Sequence, residues 1–219
     1  MISKSYIIRS LIVLLANILA GLGLACLRIS SMGTDPFTSM CYNASMLFHL
    51  PLTVFMIAVH ACILGVCFRQ MKKMIGFGTI INMTIYGLSA DYWKAVLLRF
   101  LPLKDSYKGY GEDMPLRICL LFIGLFMILF FLSFYLASNT GMSPYDGLAY
   151  VLEGKLPIPY KLCRIITDVV CAVLSFIMGV LNGNPWIVIG VTTVFMMFCT
   201  GPLFSFFRSK VADPLFERM

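Results

Sequence analysis

Six runs of predominantly apolar residues, each 17 to 24 residues long, occupy most of this 219-residue chain. A helix of about 20 apolar residues crosses the roughly 30 Å hydrocarbon core of a bilayer. This rule predicts membrane-spanning helices at residues 7–27, 52–68, 75–98, 115–136, 162–181 and 186–207. The first run has Lys4 and Arg9 at its start, as the core of a secretory signal would, but it is long enough to span, and we interpret it as a permanent helix.

The composition leaves few other folds open. Hydrophobic residues make up 60% of the chain and charged residues only 12%, with a mean hydropathy of +0.90. A water-soluble domain carries about 25% charged residues, so this chain cannot cover a soluble surface. We therefore predict an all-α polytopic membrane protein, with residues 1–219 as a single integral membrane domain. Its surroundings, and hence its main partner, are the lipid bilayer.

The positive charge indicates topology rather than nucleic acid binding. The formal net charge is +7, but the lysines and arginines lie between the apolar runs and not along one amphipathic face. With both termini in the cytoplasm, eleven basic residues fall inside and five outside, as the positive-inside rule requires. Residues 208–219 then form a short cytoplasmic tail.

Three pairs of motifs recur in the same order in the two halves of the chain. They are Gly33-x-x-Pro36-Phe37 with Gly141-x-x-Pro144-Tyr145, His49-Leu50-Pro51 with Lys155-Leu156-Pro157, and Ile75-Gly76-x-x-Thr79…Gly87 with Ile189-Gly190-x-x-Thr193…Gly201. The shared order indicates a duplication, with repeat one at about 7–101 and repeat two at about 115–207. Three spans per repeat is an odd number, so the second copy enters the membrane from the opposite side, as in many secondary transporters.

Two further segments leave the number of crossings open. Residues 36–50 and 144–156 follow the first and fourth runs, and both are short and polar for a span. If both crossed, there would be eight spans and two parallel repeats, and the charge asymmetry would fit about equally well. Length and polarity favour six crossings.

Each of these two segments begins with a helix start signal. Proline is favoured at the first helical position and Asp or Ser just before it, as in Asp35-Pro36 and Ser143-Pro144. Each motif therefore predicts a Pro-initiated broken or half helix, preceded by a turn at Gly33 or Gly141. Half helices that begin inside transporters direct free N–H groups at anionic groups of the solute. The alternative is a pair of turns followed by amphipathic helices at the headgroups.

Charged residues within the spans complete the candidate site, because an unpaired charge in the bilayer is costly. Arg164 and Asp168 lie one helical turn apart and can pair. Asp91 and Lys94 lie three apart near a span end, where snorkelling to the interface is the alternative. His60, Asn82 and Thr84 are more typical of helix-to-helix hydrogen bonds. The candidate substrate-binding residues are Asp35, Pro36, Ser143, Pro144, Asp146, Arg164 and Asp168; Gly33, Gly76, Thr79, Gly141, Gly190 and Thr193 are expected to be structural.

Signatures of catalysis and of cofactor binding are absent from the sequence. It contains no HExxH, G-x-S-x-G or P-loop motif. The eight cysteines occur singly without a CxxC pair, and the two histidines do not compose a metal site. We expect no enzyme activity, no cofactor and no metal.

The ordered motifs resemble those of the YczE/YitT-type bacterial integral membrane proteins. The matching residues are the Gly-x-x-Pro-aromatic motif after the first span, Gly76 to Asn82, Gly141 to Asp146, Arg164-x-x-x-Asp168, and Ile189 to Pro202. Members often carry Trp after the first proline, Arg after the second and Glu at the position of Asp168, where this chain differs. The resemblance implies a protein of the bacterial cytoplasmic membrane, and it implies no particular activity.

Together these features predict a small-solute membrane transporter, or a solute-binding membrane subunit, with its site between the two repeats. The alternative is a non-transporting scaffold or partner subunit, including the substrate-capture subunit of a multi-chain transporter. A homo-oligomer or a complex with another membrane chain is compatible with either function.

Overall fold

The computed structural model describes residues 4–101, 103, 113–183 and 190–217, and these ranges contain helices and connecting turns but no strands. The helices of the first half are α1 (Lys4–Ser30), α2 (Pro36–Phe48), α3 (Leu52–Met71), α4 (Phe77–Ile81) and α5 (Gly87–Phe100). Those of the second half are α6 (Met114–Ala137), α7 (Pro144–Glu153), α8 (Tyr160–Leu181), α9 (Val191–Phe207) and α10 (Asp213–Glu217). Single π-helical segments at Asn82–Tyr86 and Arg208–Ala212 join α4 to α5 and α9 to α10.

Five helical segments are long and apolar enough to cross a membrane, as expected of a multi-pass membrane protein. They are Ser5–Ser30, Leu52–Met71, Met114–Ala137, Tyr160–Leu181 and Val191–Glu217. The prediction of an all-helical membrane fold is therefore confirmed for these segments. Residues 186–189 of the last predicted span lie outside the described ranges.

The span predicted at 75–98 is helical but does not belong to this group of five. It consists of α4, the first π-helical segment and α5. The segment carries Asn82, Asp91 and Lys94, which makes it more polar than the other five.

Both prolines begin a short helix, as predicted. The 13 residues of α2 extend over about 20 Å and the 10 residues of α7 over about 15 Å, at 1.5 Å per residue. The first ten residues of α2, Pro36 to Ser45, are all buried in protein. An amphipathic helix at the headgroups would keep one face exposed, and α2 lacks such a face along this length. In α7, exposed Tyr150 lies opposite a buried face that includes Tyr145 and Ala149.

Each short helix packs against a long helix of the other half of the chain. Helix α2 lies along α8, and α7 lies against α3. The most extensive contact joins α1 to α6, the first helix of each half. The core at the centre of these contacts includes Leu24, Phe37, Tyr86, Ile128 and Tyr145. The two halves are thus interlocked rather than placed side by side.

The turns before the two short helices dock crosswise onto the other half. Gly33 has a φ of 103° and Gly141 a φ of 132°, a region that residues with a Cβ rarely adopt. A Cβ on Gly33 would lie 2.7 Å from the backbone nitrogen of Gly190, and one on Gly141 would lie 2.7 Å from that of Gly76. The glycine of each turn therefore contacts the glycine that precedes a helix in the opposite half.

Backbone hydrogen bonds fix this crossed docking. The Met32 carbonyl accepts from Thr192 N at 3.2 Å, and the Thr140 carbonyl accepts from Gly78 N at 3.0 Å. Met142 N donates to the Met74 carbonyl at 2.9 Å.

Two threonine side chains add to the docking. Thr79 Oγ1 donates to the Met142 carbonyl at 2.9 Å and accepts from Gly76 N at 3.1 Å. Thr193 Oγ1 accepts from Gly190 N at 3.3 Å. The six residues predicted to be structural thus form two clusters, Gly33 with Gly190 and Thr193, and Gly141 with Gly76 and Thr79. Each cluster joins both halves of the chain, and the repeat pattern had not indicated this contact.

Substituting Gly33 by alanine tests the crossed docking. We expect Gly33→Ala to lower the free energy of unfolding by about 2 kcal/mol or more, because the backbone conformation is strained for alanine and the new Cβ meets Gly190. Thermal unfolding of the purified protein in mild detergent measures this. The matched control is Gly65→Ala in α3, where a Cβ meets nothing within 4 Å. Equal melting temperatures for the two variants would contradict the assigned role of Gly33.

Candidate functional site

The start of α2 is capped by Asp35, as the sequence predicts. Thr38 N donates to Asp35 Oδ2 at 2.9 Å, and Ser39 N donates to the Asp35 carbonyl at 2.8 Å. Pro36 occupies the first helical position. The carboxylate of Asp35 therefore lies at the positive end of the half helix and satisfies one of its free N–H groups.

The start of α7 is built differently. Ser143 occupies the N-cap position, but its side chain makes no capping hydrogen bond. Its hydroxyl instead lies 3.4 Å from His60 Nε2 of α3. The prediction was therefore right about the position of Ser143 and wrong about its side chain. The acidic residue in this turn is Asp146, which lies in the first turn of α7.

The two half helices meet at the aromatic residues that follow their prolines. The rings of Phe37 and Tyr145 are stacked with centroids 4.6 Å apart. The centre of the His60 ring lies 4.8 Å from that of the Phe37 ring. The Pro36 and Pro144 motifs of the sequence therefore lie against each other in the interior and are in contact through the stacked rings of Phe37 and Tyr145.

A cluster of charged side chains lies beside this stack. Arg164 Nη1 forms an ion pair with Asp146 Oδ1. Arg164 Nε lies 3.6 Å from Asp168 Oδ2, the pairing predicted from their spacing on α8. Tyr145 donates its hydroxyl proton to Asp168 Oδ1 at 2.6 Å, and the Arg164 guanidinium lies 4.6 Å from the centre of the Tyr145 ring. One guanidinium thus links two carboxylates and an aromatic face.

A cavity of about 80 Å³ brings most of the candidate residues together. Asp35, Pro36, Ser143, Asp146, Arg164 and Asp168 line it, whereas Pro144 is buried at the start of α7 and does not. Pockets that hold drug-sized ligands have volumes of about 300 to 1,000 Å³. In this conformation the cavity accommodates only a very small solute or a few water molecules.

The cavity also contains aromatic residues that the sequence analysis did not single out. Tyr86 lines it from the π-helical segment and Tyr135 from α6. The Tyr135 side chain is 2% exposed, and its hydroxyl has no hydrogen-bond partner among the described residues. A buried polar group without a partner costs about 1–3 kcal/mol. No pattern in the sequence marks Tyr135, which lies in an almost wholly apolar run.

The remaining polar residues in the spans have structural partners. Asn82 donates to Asn17 Oδ1 at 2.8 Å, which ties the π-helical segment to α1, although Asn82 also reaches the cavity. Thr84 donates to the carbonyl of Ile80 in its own helix and is only partly buried. The Asn82 bond agrees with the prediction that such residues join neighbouring helices, whereas the Thr84 bond stays within its own helical segment.

Asp91 forms a longer-range ion pair than its spacing from Lys94 suggested. Its carboxylate lies 2.7 Å from Arg28 Nη1 at the end of α1, and it accepts from Thr53 Oγ1 at 2.7 Å. Lys94 donates to the Tyr42 hydroxyl at 3.3 Å. The interpretation of Asp91 as an interfacial residue is therefore incomplete, because its carboxylate ties α5 to α1 and α3.

The arrangement can bind a small polar solute and can hold charge away from lipid. Among the described residues, no group of three or more His, Cys, Asp or Glu side chains has the geometry of a metal site. The polar groups that reach the cavity come from both halves of the chain, at the point where the two half helices meet.

Removing the guanidinium tests whether it stabilises this cluster. We expect Arg164→Gln to lower the free energy of unfolding by about 2 kcal/mol or more, because Asp146 and Asp168 then lack their shared cation in a largely buried site. The matched control is Arg208→Gln, which removes an ion pair to Asp213 with both side chains well exposed, and there we expect a change below about 1 kcal/mol. Thermal unfolding in detergent measures both. A smaller effect for Arg164→Gln than for the control would contradict this role.

Comparison with known proteins gave one family. The model of the family of unknown function DUF6198 matches residues 7–209. Neither a curated protein nor a solved structure matched the chain. The resemblance to YczE/YitT-type proteins stays a prediction, since the matching family does not carry that name. Because the match covers nearly the whole chain, the protein belongs to the family of unknown function DUF6198.

Proposed function

We propose that the protein is a small-solute membrane transporter, or the solute-binding membrane subunit of one, with its binding site in the cavity between the two halves. The observation that carries the proposal is that Asp35 of the first half and Asp146, Arg164 and Asp168 of the second half reach one internal cavity. Ionisable residues inside a membrane protein are costly, and they commonly mark the path of a solute or ion.

We also propose that the two halves are inverted repeats with six membrane crossings. Pro36 and Pro144 begin the short helices, and Pro51 and Pro159 directly precede α3 and α8, with 108 positions separating the members of each pair. Pro159 thus takes the place that the sequence motif gave to Pro157. Arg9 donates to the carbonyl of Ser138, and Arg117, also 108 positions later, donates to that of Ile29. Each arginine thus contacts the end of the first long helix of the other half, as a two-fold relation requires.

The lengths of the short helices support six crossings over eight. At about 20 and 15 Å, α2 and α7 fall short of the roughly 30 Å hydrocarbon core. The segment 77–100 then serves as the third crossing despite its polarity, because Asn82 and Asp91 bond inside the protein. The proposed setting is the bacterial cytoplasmic membrane with both termini in the cytoplasm.

A reporter fused after Lys73 distinguishes the two topologies. With six crossings and a cytoplasmic N-terminus, the connection between α3 and α4 lies in the cytoplasm; with eight crossings it lies outside. We expect alkaline phosphatase fused after Lys73 to be inactive, because this enzyme requires disulfides that form outside the cytoplasm. The control is a fusion after Asp113, which six crossings place outside, so it should be active. The opposite pattern would overturn the proposed topology.

Transport itself is tested with the purified protein in liposomes and a panel of small cationic, anionic and neutral metabolites. We expect saturable uptake of at least one compound, or a rise in melting temperature on its addition. Asp168→Asn should lower the response about tenfold, since it removes a charged hydrogen-bond partner of Tyr145 and Arg164. The matched control is Asp213→Asn, because the Asp213 side chain is much more exposed and lies outside the cavity.

The proposal fails if no compound of the panel is bound or transported while wild type and Asp168→Ala are equally stable and equally active in cells. Co-purification of a second membrane chain in stoichiometric amount, without any response to solutes, would favour the scaffold or partner-subunit alternative.

A further inference from the structure

We propose that the solute of this cavity is a small organic cation of the ammonium or guanidinium class, with Asp35 as its counter-ion. The inference rests on the proposed function, because it names the substrate class of the same site. It differs from the expectation that the two half helices bind an anion through their free N–H groups.

The charges around the cavity favour a cation. Three carboxylates, those of Asp35, Asp146 and Asp168, line the cavity with one guanidinium, that of Arg164. Arg164 is already paired with Asp146 and Asp168. Asp35 forms no ion pair within the described part of the chain. With the three carboxyl groups ionised, an anion entering the cavity would meet an excess of negative charge, whereas a cation would compensate Asp35 and favour its ionised form.

Both helix starts that could attract an anion carry a carboxylate of the protein. Asp35 accepts from Thr38 N at the start of α2. Asp146 places a carboxylate in the first turn of α7. A carboxylate near a helix N-terminus offsets the positive end of the helix dipole. Both half helices therefore place a carboxylate near their N-terminus and beside the cavity, which disfavours a second negative charge there.

The aromatic residues provide a second, independent indication. Phe37, Tyr86, Tyr135 and Tyr145 all line the cavity. Aromatic faces attract cations, and the Arg164 guanidinium already lies 4.6 Å from the centre of the Tyr145 ring. The Tyr135 hydroxyl is buried without a partner among the described residues, and its oxygen can accept a hydrogen bond from an N–H group. An organic cation with N–H groups would bring hydrogen-bond donors to the cavity that this oxygen and Asp35 both line.

The same features argue against a metal ion. Metal ions such as Ca²⁺ take six to eight oxygen ligands at about 2.3–2.6 Å. Within the described ranges no three acidic, histidine or cysteine side chains are grouped to hold such an ion. Aromatic rings do not replace these ligands, but they do suit an organic cation. The volume of about 80 Å³ limits the solute to a few non-hydrogen atoms in this conformation.

Uptake of guanidinium into liposomes tests the inference. Guanidinium stays charged at neutral pH, so it does not leak across the bilayer as a neutral amine would. We would compare the uptake of labelled guanidinium, phosphate and sulfate by liposomes with and without the full-length protein. The variants are Asp35→Asn, Tyr135→Phe and the exposed control Asp213→Asn. Asparagine caps helices as well as aspartate, so Asp35→Asn removes the charge and keeps the cap.

The expected result is saturable guanidinium uptake with both anions at the level of empty liposomes. Asp35→Asn should reduce uptake about tenfold or more, because a hydrogen bond to a charged group contributes about 1.5–3 kcal/mol. Tyr135→Phe should reduce uptake several-fold, and Asp213→Asn should leave it unchanged. Melting temperatures of all variants verify that they are folded.

Three other outcomes would overturn the inference in different ways. Uptake of phosphate, sulfate or a neutral compound without guanidinium would contradict a cationic substrate and leave transport intact. Equal guanidinium uptake by wild type and a folded Asp35→Asn would contradict the role of Asp35. A lack of uptake and of melting shifts for guanidinium and for every compound of the wider panel would overturn the proposed function as well.

Discussion

The structure depends on hydrogen bonds to the backbone groups at two helix breaks, one between α1 and α2 and one between α6 and α7. In hydrocarbon each unpaired N–H or C=O group costs several kcal/mol, so a break survives only where protein or water supplies partners. Here the carbonyls of Met32 and Thr140 accept from N–H groups at the starts of α9 and α4. The hydrogen-bond donor at each break therefore belongs to the opposite half of the chain. The same contacts bring the starts of α2 and α7 together and thereby form the cavity.

This arrangement places charged side chains where lipid would not tolerate them. Arg164 lies between Asp146 and Asp168, and Asp168 accepts from Tyr145. Each charged group in this cluster has a partner of opposite charge or a hydrogen-bond donor, which lowers the cost of burial. The Asp35 carboxylate instead accepts a hydrogen bond from the backbone of its own helix, at Thr38 N. The two halves of the chain therefore contribute unequally to the chemistry of the cavity.

Features that depend on local sequence were predictable. Apolar run lengths located the long helices within a few residues, proline marked the starts of α2 and α7, and spacing along α8 indicated the Arg164 and Asp168 pair.

Features that depend on which helices pack against each other could not be predicted from the sequence. The pairing of Asp91 with Arg28 joins residues 63 positions apart, and no local pattern specifies that contact. Similarly, the predicted duplication paired the Gly33 motif with the Gly141 motif, although Gly33 docks on Gly190 and Gly141 docks on Gly76. Ser143 shows the limit of a local rule, because nearby His60 offers its hydroxyl another partner.

The crossed docking also constrains the order of events during synthesis. The Met32 carbonyl obtains its partner, Thr192 N, only 160 positions later in the chain. At about 5–20 residues per second, the ribosome needs roughly 10 to 30 seconds to make that segment. During this interval α1 and α2 are complete, but the turn between them lacks its final support. The crossed docking of Met32 can therefore form only after the start of α9 has been synthesised.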